Sequence, residues 1–141
     1  MTNTPLAPQQ VLAFDVGEKR IGVAQADTLV RIPFPVTTIT VDGREEDRVR
    51  QIVAEVQPAT LVVGLPRNQS GEQTAQSQVS VAFARQLDSL GVPVVMQDES
   101  VTSVMAEDYL KQSKKPYTKE DIDAKAAALI LDDYLREKYG Y

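Results

Sequence analysis

Val11 to Val16 is a continuous apolar run broken by one carboxylate, Asp15. Gly17-Glu18-Lys19-Arg20 interrupts it and Ile21 to Ala24 resumes it, the pattern of two strands around a tight turn. Side chains alternate along a strand, so Val11, Ala13 and Asp15 share one face, and Leu12, Phe14 and Val16 share the other. The β-branched stretch Val36 to Val41 predicts a third strand, completing an antiparallel meander. Asp42 is expected to cap the next helix, with Glu45 closing a capping box. Val49, Ile52, Val53 and Val56 follow at helical spacing, and Pro58 stops that helix.

Thr60 to Pro66 is apolar on both faces, as a central parallel strand is. A polar loop, Arg67 to Glu72, leads into a long helix with Val79, Phe83, Leu87 and Leu90 on one stripe and Gly91 at its end. Val92 to Met96 reads as a further strand, with Pro93 near its start suited to a sheet edge. It runs into Gln97-Asp98-Glu99-Ser100. Thr102 or Ser103 caps a short helix whose Met105/Tyr109 stripe is expected in the core. Thr118 caps the last helix and Asp121 closes its box. Ala124, Ala126, Ala127 and Ala128 keep its first turns slim, and Leu129, Ile130, Tyr134 and Leu135 pack it further on. The order is βββ-α-β-α-β-α-α. Right-handed crossovers then give an α/β fold with a mixed five-stranded sheet, a three-stranded antiparallel meander plus two parallel strands, and helices on both faces. The first strand is central, antiparallel to the second and parallel to the fourth.

The 141 residues suffice for one domain, 11–138, behind a polar, proline-containing tail, 1–10, that lacks the features of a signal peptide. No apolar run approaches the ~20 residues of a membrane span. The chain has neither cysteine nor histidine. This fits the cytoplasm, and it excludes a Ser-His-Asp triad, a Cys-His pair and the usual zinc sets. Any bound metal must be held by oxygen, which points to Mg²⁺ or Mn²⁺ (or Ca²⁺). A net charge of −5 argues against indiscriminate nucleic-acid binding, although a local basic patch overrides a global sign.

Three positions carry an acid where the local pattern wants an apolar or small residue. Asp15 interrupts the first strand, and burying an uncompensated carboxylate there costs several kcal/mol. Asp98 and Glu99 close the fifth strand at its C-terminal end, where ligands gather in open α/β sheets. Asp123 is in line with Ala127, Ile130 and Tyr134 on the helix stripe that packs on the sheet. Carboxylates converging from a strand centre, a strand end and a helix repel one another unless a cation lies between them. One or two Mg²⁺ or Mn²⁺ ions would resolve the repulsion and support phosphodiester hydrolysis. Asp98 and Glu99 point to opposite faces of a regular strand, so no more than one of them is expected as a direct ligand. The longer reach of Glu99 favours it, which leaves Asp98 as an outer partner.

Phe-Asp-Val-Gly-Glu-Lys-Arg-Ile-Gly-Val-Ala (14–24), Val-Val-Gly-Leu-Pro with Asn68 and Gly71 after it, Asp98-Glu99, and Ile122-Asp123-Ala124 before an alanine-rich helix together resemble the YqgF/RuvX family. The resemblance covers roughly 11–136 in matching order. It implies an RNase H-like fold with Asp15, Glu99 and Asp123 as metal-binding catalytic acids. The family is described both as a Holliday junction resolvase and as a nuclease maturing the 5′ end of pre-16S rRNA. Two positions depart from its usual pattern. Ser100 stands where an arginine commonly follows the Asp-Glu pair, so a phosphate contact that the resemblance would otherwise imply near the metals is not carried over, and Ser70 stands where an aspartate commonly precedes Gly71.

Plainer readings exist for each residue. Asp15 could be a buried acid paired with Lys19 or Arg20, Glu99 and Asp98 could open a loop, and Asp123 could serve the helix dipole. Lys19 and Arg20 could hold a phosphate or form a solvated turn. Lys114, Lys115 and Lys119 could track a nucleic-acid backbone with Tyr117 stacking on a base, or could belong to a solvated loop. Arg67 and Asn68 could line the same cleft. Gly17, Gly22 and Gly64 read as backbone devices.

The expected activity is a metal-dependent nuclease acting on pre-rRNA or branched DNA, as monomer or homodimer, with no membrane partner. A four-way junction demands a two-fold dimer, whereas structured RNA demands shape and single-strand recognition. A non-catalytic nucleic-acid adaptor is a further class. So is an ATPase-like phosphate module, although those use two such domains and this chain has length for one.

Overall fold

The computed structural model describes residues 7–66, 75–99 and 103–141. The elements are β1 (Gln10–Val16), β2 (Arg20–Asp27), β3 (Phe34–Thr40), α1 (Glu45–Val56), β4 (Thr60–Pro66), α2 (Ala75–Leu87), β5 (Val94–Glu99), α3 (Ser103–Gln112) and α4 (Lys119–Tyr139), with a 3₁₀ turn over Asp88–Leu90. The strands form one sheet in the order β3-β2-β1-β4-β5. β1 is its central strand, antiparallel to β2 and parallel to β4. The mixed sheet expected from the hydrophobic pattern is the one observed.

Alternation along β1 divides the core. Leu12, Phe14 and Val16 face α1 and α2 and join Val49, Val53, Phe83 and Leu87. The Phe14 and Phe83 rings meet edge to face, 5.4 Å between centroids. Val11 and Ala13 face the other way, with Ala24, Ala26 and Val62, and take Ala127, Ala128, Ile130, Leu131 and Leu135 of α4. The strand side of this face is mostly alanine and valine, and Ala127 and Ala128 keep the early part of α4 slim, so the helix backbone comes close to the sheet there. The approach is tightest at Gly22, where a Cβ would fall on the backbone carbonyl of Asp123. At Gly64 a Cβ would press on the Ile130 side chain.

α4 is held at both ends. At its start Thr118 and Asp121 form the expected capping box, and the Thr38 hydroxyl on β3 donates to the Glu120 carbonyl (2.6 Å). At its far end the Arg31 guanidinium lies 3.9 Å from the Tyr139 ring centroid, a cation–π contact to the β2–β3 connection.

Four expectations need correction or adjustment. Asp42 does not cap α1: the N-cap position is Arg44, without a side-chain cap. Glu45 instead accepts from the backbone N–H groups of Asp42 and Gly43, while Asp42 accepts from the Arg44 N–H and pairs with Arg48 at 2.8 Å. The acids stitch the turn before the helix, so the helix begins later. Met105 and Tyr109 are not core, being 43% and 52% exposed. α3 packs on α4 and not on the sheet, so the residue it buries is Ala106. β5 begins at Val94 rather than Val92 and continues through Glu99, with the Pro93 carbonyl accepting from Leu61 N–H just before it. The first strand begins at Gln10, inside the expected tail, and Gln9 N–H bonds to the Thr28 hydroxyl. The Arg67–Glu72 loop and the Thr102 cap lie outside the described residues.

The two close glycines differ in what opposes them, and substitution should show it. Gly22→Ala meets backbone that cannot give way and should cost about 3 kcal/mol or more, whereas Gly64→Ala meets a movable Ile130 tip and should cost about 1 kcal/mol. Urea titrations of the two variants check the order.

Candidate active site

Asp15 is the penultimate residue of β1, directly opposite Gly22 of β2. The missing side chain at Gly22 lets α4 settle with Asp123 over this spot. Asp15 is thereby enclosed beside a second acid. Loss of solvent is the larger effect and the Asp123 charge the smaller, and together they push the Asp15 carboxyl up to about 6.

On β5, Val94 and Met96 pack with the α1/α2 side and Val95 with the α4 side. Alternation therefore puts Gln97 and Glu99 on the face of Asp15, and Asp98 on the opposite face. Asp98 is exposed, while the Glu99 Oε2 atom is buried. Glu99 sits opposite Pro66 at the C-terminal end of the sheet, so it shares the face of Asp15 at the end where ligands gather.

Asp123 lies in the early turns of α4 with its side chain 17% exposed. Its Oδ2 accepts from Arg20 Nε at 2.5 Å. Arg20 opens β2 two residues before Gly22, so its side chain rises on the same face. The Asp123 hydrogen bond and charge hold the guanidinium above its ordinary pKa. Asp15 and Asp123 are thus within electrostatic reach, and Glu99 stands on their face. Among the described residues, however, no three acidic side chains are gathered into a group that could hold a metal. The cation that meets Asp123 in this arrangement is Arg20.

Lys19 is exposed in the β1–β2 turn, which is closed by Gly17 N–H to the Arg20 carbonyl (2.9 Å). Lys114 and Lys115 are exposed in the loop after α3, and Lys119 opens α4 one turn before Asp123. Tyr117 is half-buried and its hydroxyl donates to Glu107 of α3 at 2.7 Å, which raises the phenol's pKa. Arg67 and Asn68 lie outside the described residues.

Several site features escape a reading of the sequence. Gln97 is a buried polar residue on the Asp15 face, and its signal was a glutamine two places before Glu99 in strand alternation. The Gln76 amide of α2 donates to the Val16 carbonyl at 2.5 Å, fixing the strand next to Asp15. The pairing of Arg20 with Asp123 spans 103 positions and has no local signal.

A family model described as "RuvX: Holliday junction resolvase" matches residues 9–137. A Chloroflexus aurantiacus protein named "Putative pre-16S rRNA nuclease" is 46% identical over 133 residues, covering 90% of this chain and 86% of the relative. A Chromobacterium violaceum protein of the same name is 39% identical over 132 residues, covering 89% and 96%. In fold, the chain resembles Thermus thermophilus RuvC (TM-score 0.56, 15% identity, 93% and 96% covered). It is similarly close to the fowlpox virus resolvase solved with Holliday junction DNA (TM-score 0.56, 12% identity, 92% and 98% covered). Together with the motifs around Asp15, Asp98-Glu99 and Asp123, these likenesses show that the chain belongs to the RuvX family, also called YqgF.

Proposed function

We propose that the protein is a divalent-metal-dependent nuclease that processes the 5′ end of pre-16S rRNA in the cytoplasm. The observation that carries the reading is the partly buried Asp15 carboxyl, its pKa pushed up to about 6 beside Asp123 on the face that Glu99 shares. A site in which the Asp15 carboxyl is costly to ionise has a reason to take a cation. The donor set fits such a cation: the acids offer oxygen only, and the chain holds neither histidine nor cysteine to favour zinc. Asp15, Glu99 and Asp123 would hold one or two Mg²⁺ or Mn²⁺ ions. Bound there, the metal supplies Lewis-acid charge at the scissile phosphate and lowers the barrier to in-line attack by water.

The chain's own residues do the rest. Gly22 and the α4 backbone exclude solvent from one side of Asp15. Lys19, Lys114, Lys115 and Lys119 supply cations for the phosphates of an incoming strand, with Arg67 and Asn68 as further candidates. Tyr117 offers a ring for base stacking, with its hydroxyl tied to Glu107. The RNA substrate is favoured because the relatives named for it share 39–46% identity, whereas the junction resolvases of known structure share the fold at 12–15%. Junction resolution remains the second reading, supported by the family's description, and would call for a homodimer.

A side-by-side cleavage assay tests both. Wild type and Asp15→Asn meet a labelled pre-16S leader RNA and a mobile four-way DNA junction, with Mn²⁺, Mg²⁺ or EDTA. Metal-dependent cutting of the RNA that the variant loses is expected. Paired symmetric nicks in the junction would favour the resolvase, and no Asp15-dependent cutting of either would leave an adaptor role. In the same assay Glu99→Gln should lose at least about a hundredfold in rate, while Asp98→Asn, on the opposite face, should stay within about threefold.

Asp15 also sets a pH dependence. Its folded pKa, about 6, lies above the ordinary 3.8, so the folded chain binds this proton more tightly than the unfolded one. Its contribution to stability is present below about pH 4 and is lost as pH rises through about 6, leaving a cost on the order of 3 kcal/mol at neutral pH. Asp15→Asn is therefore expected to melt several degrees higher than wild type at pH 7.5 in EDTA, and to match it near pH 4. Added Mn²⁺ should raise the melting temperature of wild type and leave the variant unmoved. Calorimetry at the two pH values reads all three outcomes.

A further inference from the structure

The nuclease reading asks Asp123 for a metal, yet its carboxylate already meets a cation. Arg20 and Asp123 are both partly enclosed, their side chains 32% and 17% exposed, and the pair joins the start of β2 to the first turns of α4. Their backbones are fixed. The Arg20 carbonyl closes the β1–β2 turn, Arg20 pairs with Thr40 across the sheet, and the neighbouring Lys19 carbonyl accepts from Val41 N–H. Asp123 is wedged against Gly22. Only the side chains can part. A divalent ion on the same carboxylates would stand close to the guanidinium, and like charges in a half-buried site disfavour each other.

We propose that Arg20 serves Asp123 as an internal counter-ion until a divalent cation arrives, and then turns to the substrate phosphate. This rests on the nuclease reading. The exchange matches charge in both end states: guanidinium on Asp123 in the resting protein, metal on Asp123 and guanidinium on phosphate in the complex. The planar fork of arginine suits phosphate oxygens as well as a carboxylate. A chain of net charge −5 that must accept a polyanion gains from a cation released where the strand is cut.

Mn²⁺ titration calorimetry without substrate tests the exchange on wild type, Arg20→Gln, Arg20→Lys and Asp15→Asn. Arg20→Gln should bind Mn²⁺ about tenfold tighter than wild type, the order expected when a unit charge a few ångströms away is removed. Arg20→Lys keeps the positive charge and should stay closer to wild type than Arg20→Gln does. With Ca²⁺ present, Arg20→Gln should bind a short labelled RNA less tightly than wild type, and without metal the two should bind alike. Mg²⁺ titration of isotope-labelled wild type, followed at the Arg20 Nε–H resonance, reads the same exchange without any substitution: the signal should shift and lose protection as Mg²⁺ binds. Unchanged or weaker Mn²⁺ affinity in Arg20→Gln, or an unmoved Arg20 signal at saturation, would overturn the proposal while Asp15-dependent binding by wild type leaves the nuclease reading standing. Wild type that binds no Mn²⁺ through Asp15 would overturn both.

Discussion

At Gly22 the backbone of α4 rests on the backbone of β2 with no side chain between them. Most of the site follows from that contact. It brings a helix carboxylate, Asp123, to a strand carboxylate, Asp15, whose cross-strand partner is Gly22 itself. It also shields Asp15 from water. The alanines that continue the stripe, Ala24 and Ala26 on the strand and Ala127 and Ala128 on the helix, keep the two surfaces close farther along. The same packing that closes this half of the core therefore creates an electrostatic problem.

That problem has one cationic answer in the structure and a second under the proposed nuclease reading. One is built in: Arg20 reaches Asp123 from the start of β2. The other is a divalent ion, which the oxygen-only donor set suits. The Asp15 carboxyl is destabilised as an anion by burial first and by its acidic neighbour second, so the folded protein carries a cost at neutral pH that an apolar or amide residue would remove.

Much of this was legible in the chain. A single acid in a continuous apolar run marked Asp15, and two-residue alternation separates Glu99 from Asp98 once the face of β5 is known. The sheet order followed from the meander and the handedness of the crossovers. The parts that were not legible share a cause, which is dependence on distant neighbours. The spacing of Met105 and Tyr109 describes a stripe, but whether the stripe is buried depends on α3 meeting α4 instead of the sheet. Asp42 and Glu45 carry the residue types of a capping box, yet Arg48 competes for Asp42 and the turn takes Glu45. Arg20 lies five residues from Asp15 and reads as its natural partner, while its actual partner stands on the last helix.

The anchoring of α4 at its two ends gives the molecule a mechanical property. The helix has 21 residues and so is about 30 Å long. Thr38 holds its beginning and Arg31 its end, and both belong to the β2–β3 side of the sheet. A rod pinned at two distant points cannot slide along its axis or roll without breaking one of the pins. The position of one carboxylate in its second turn is thereby gauged against the whole width of the domain. The far end of α4, nowhere near the acids, works as the back sight of the instrument.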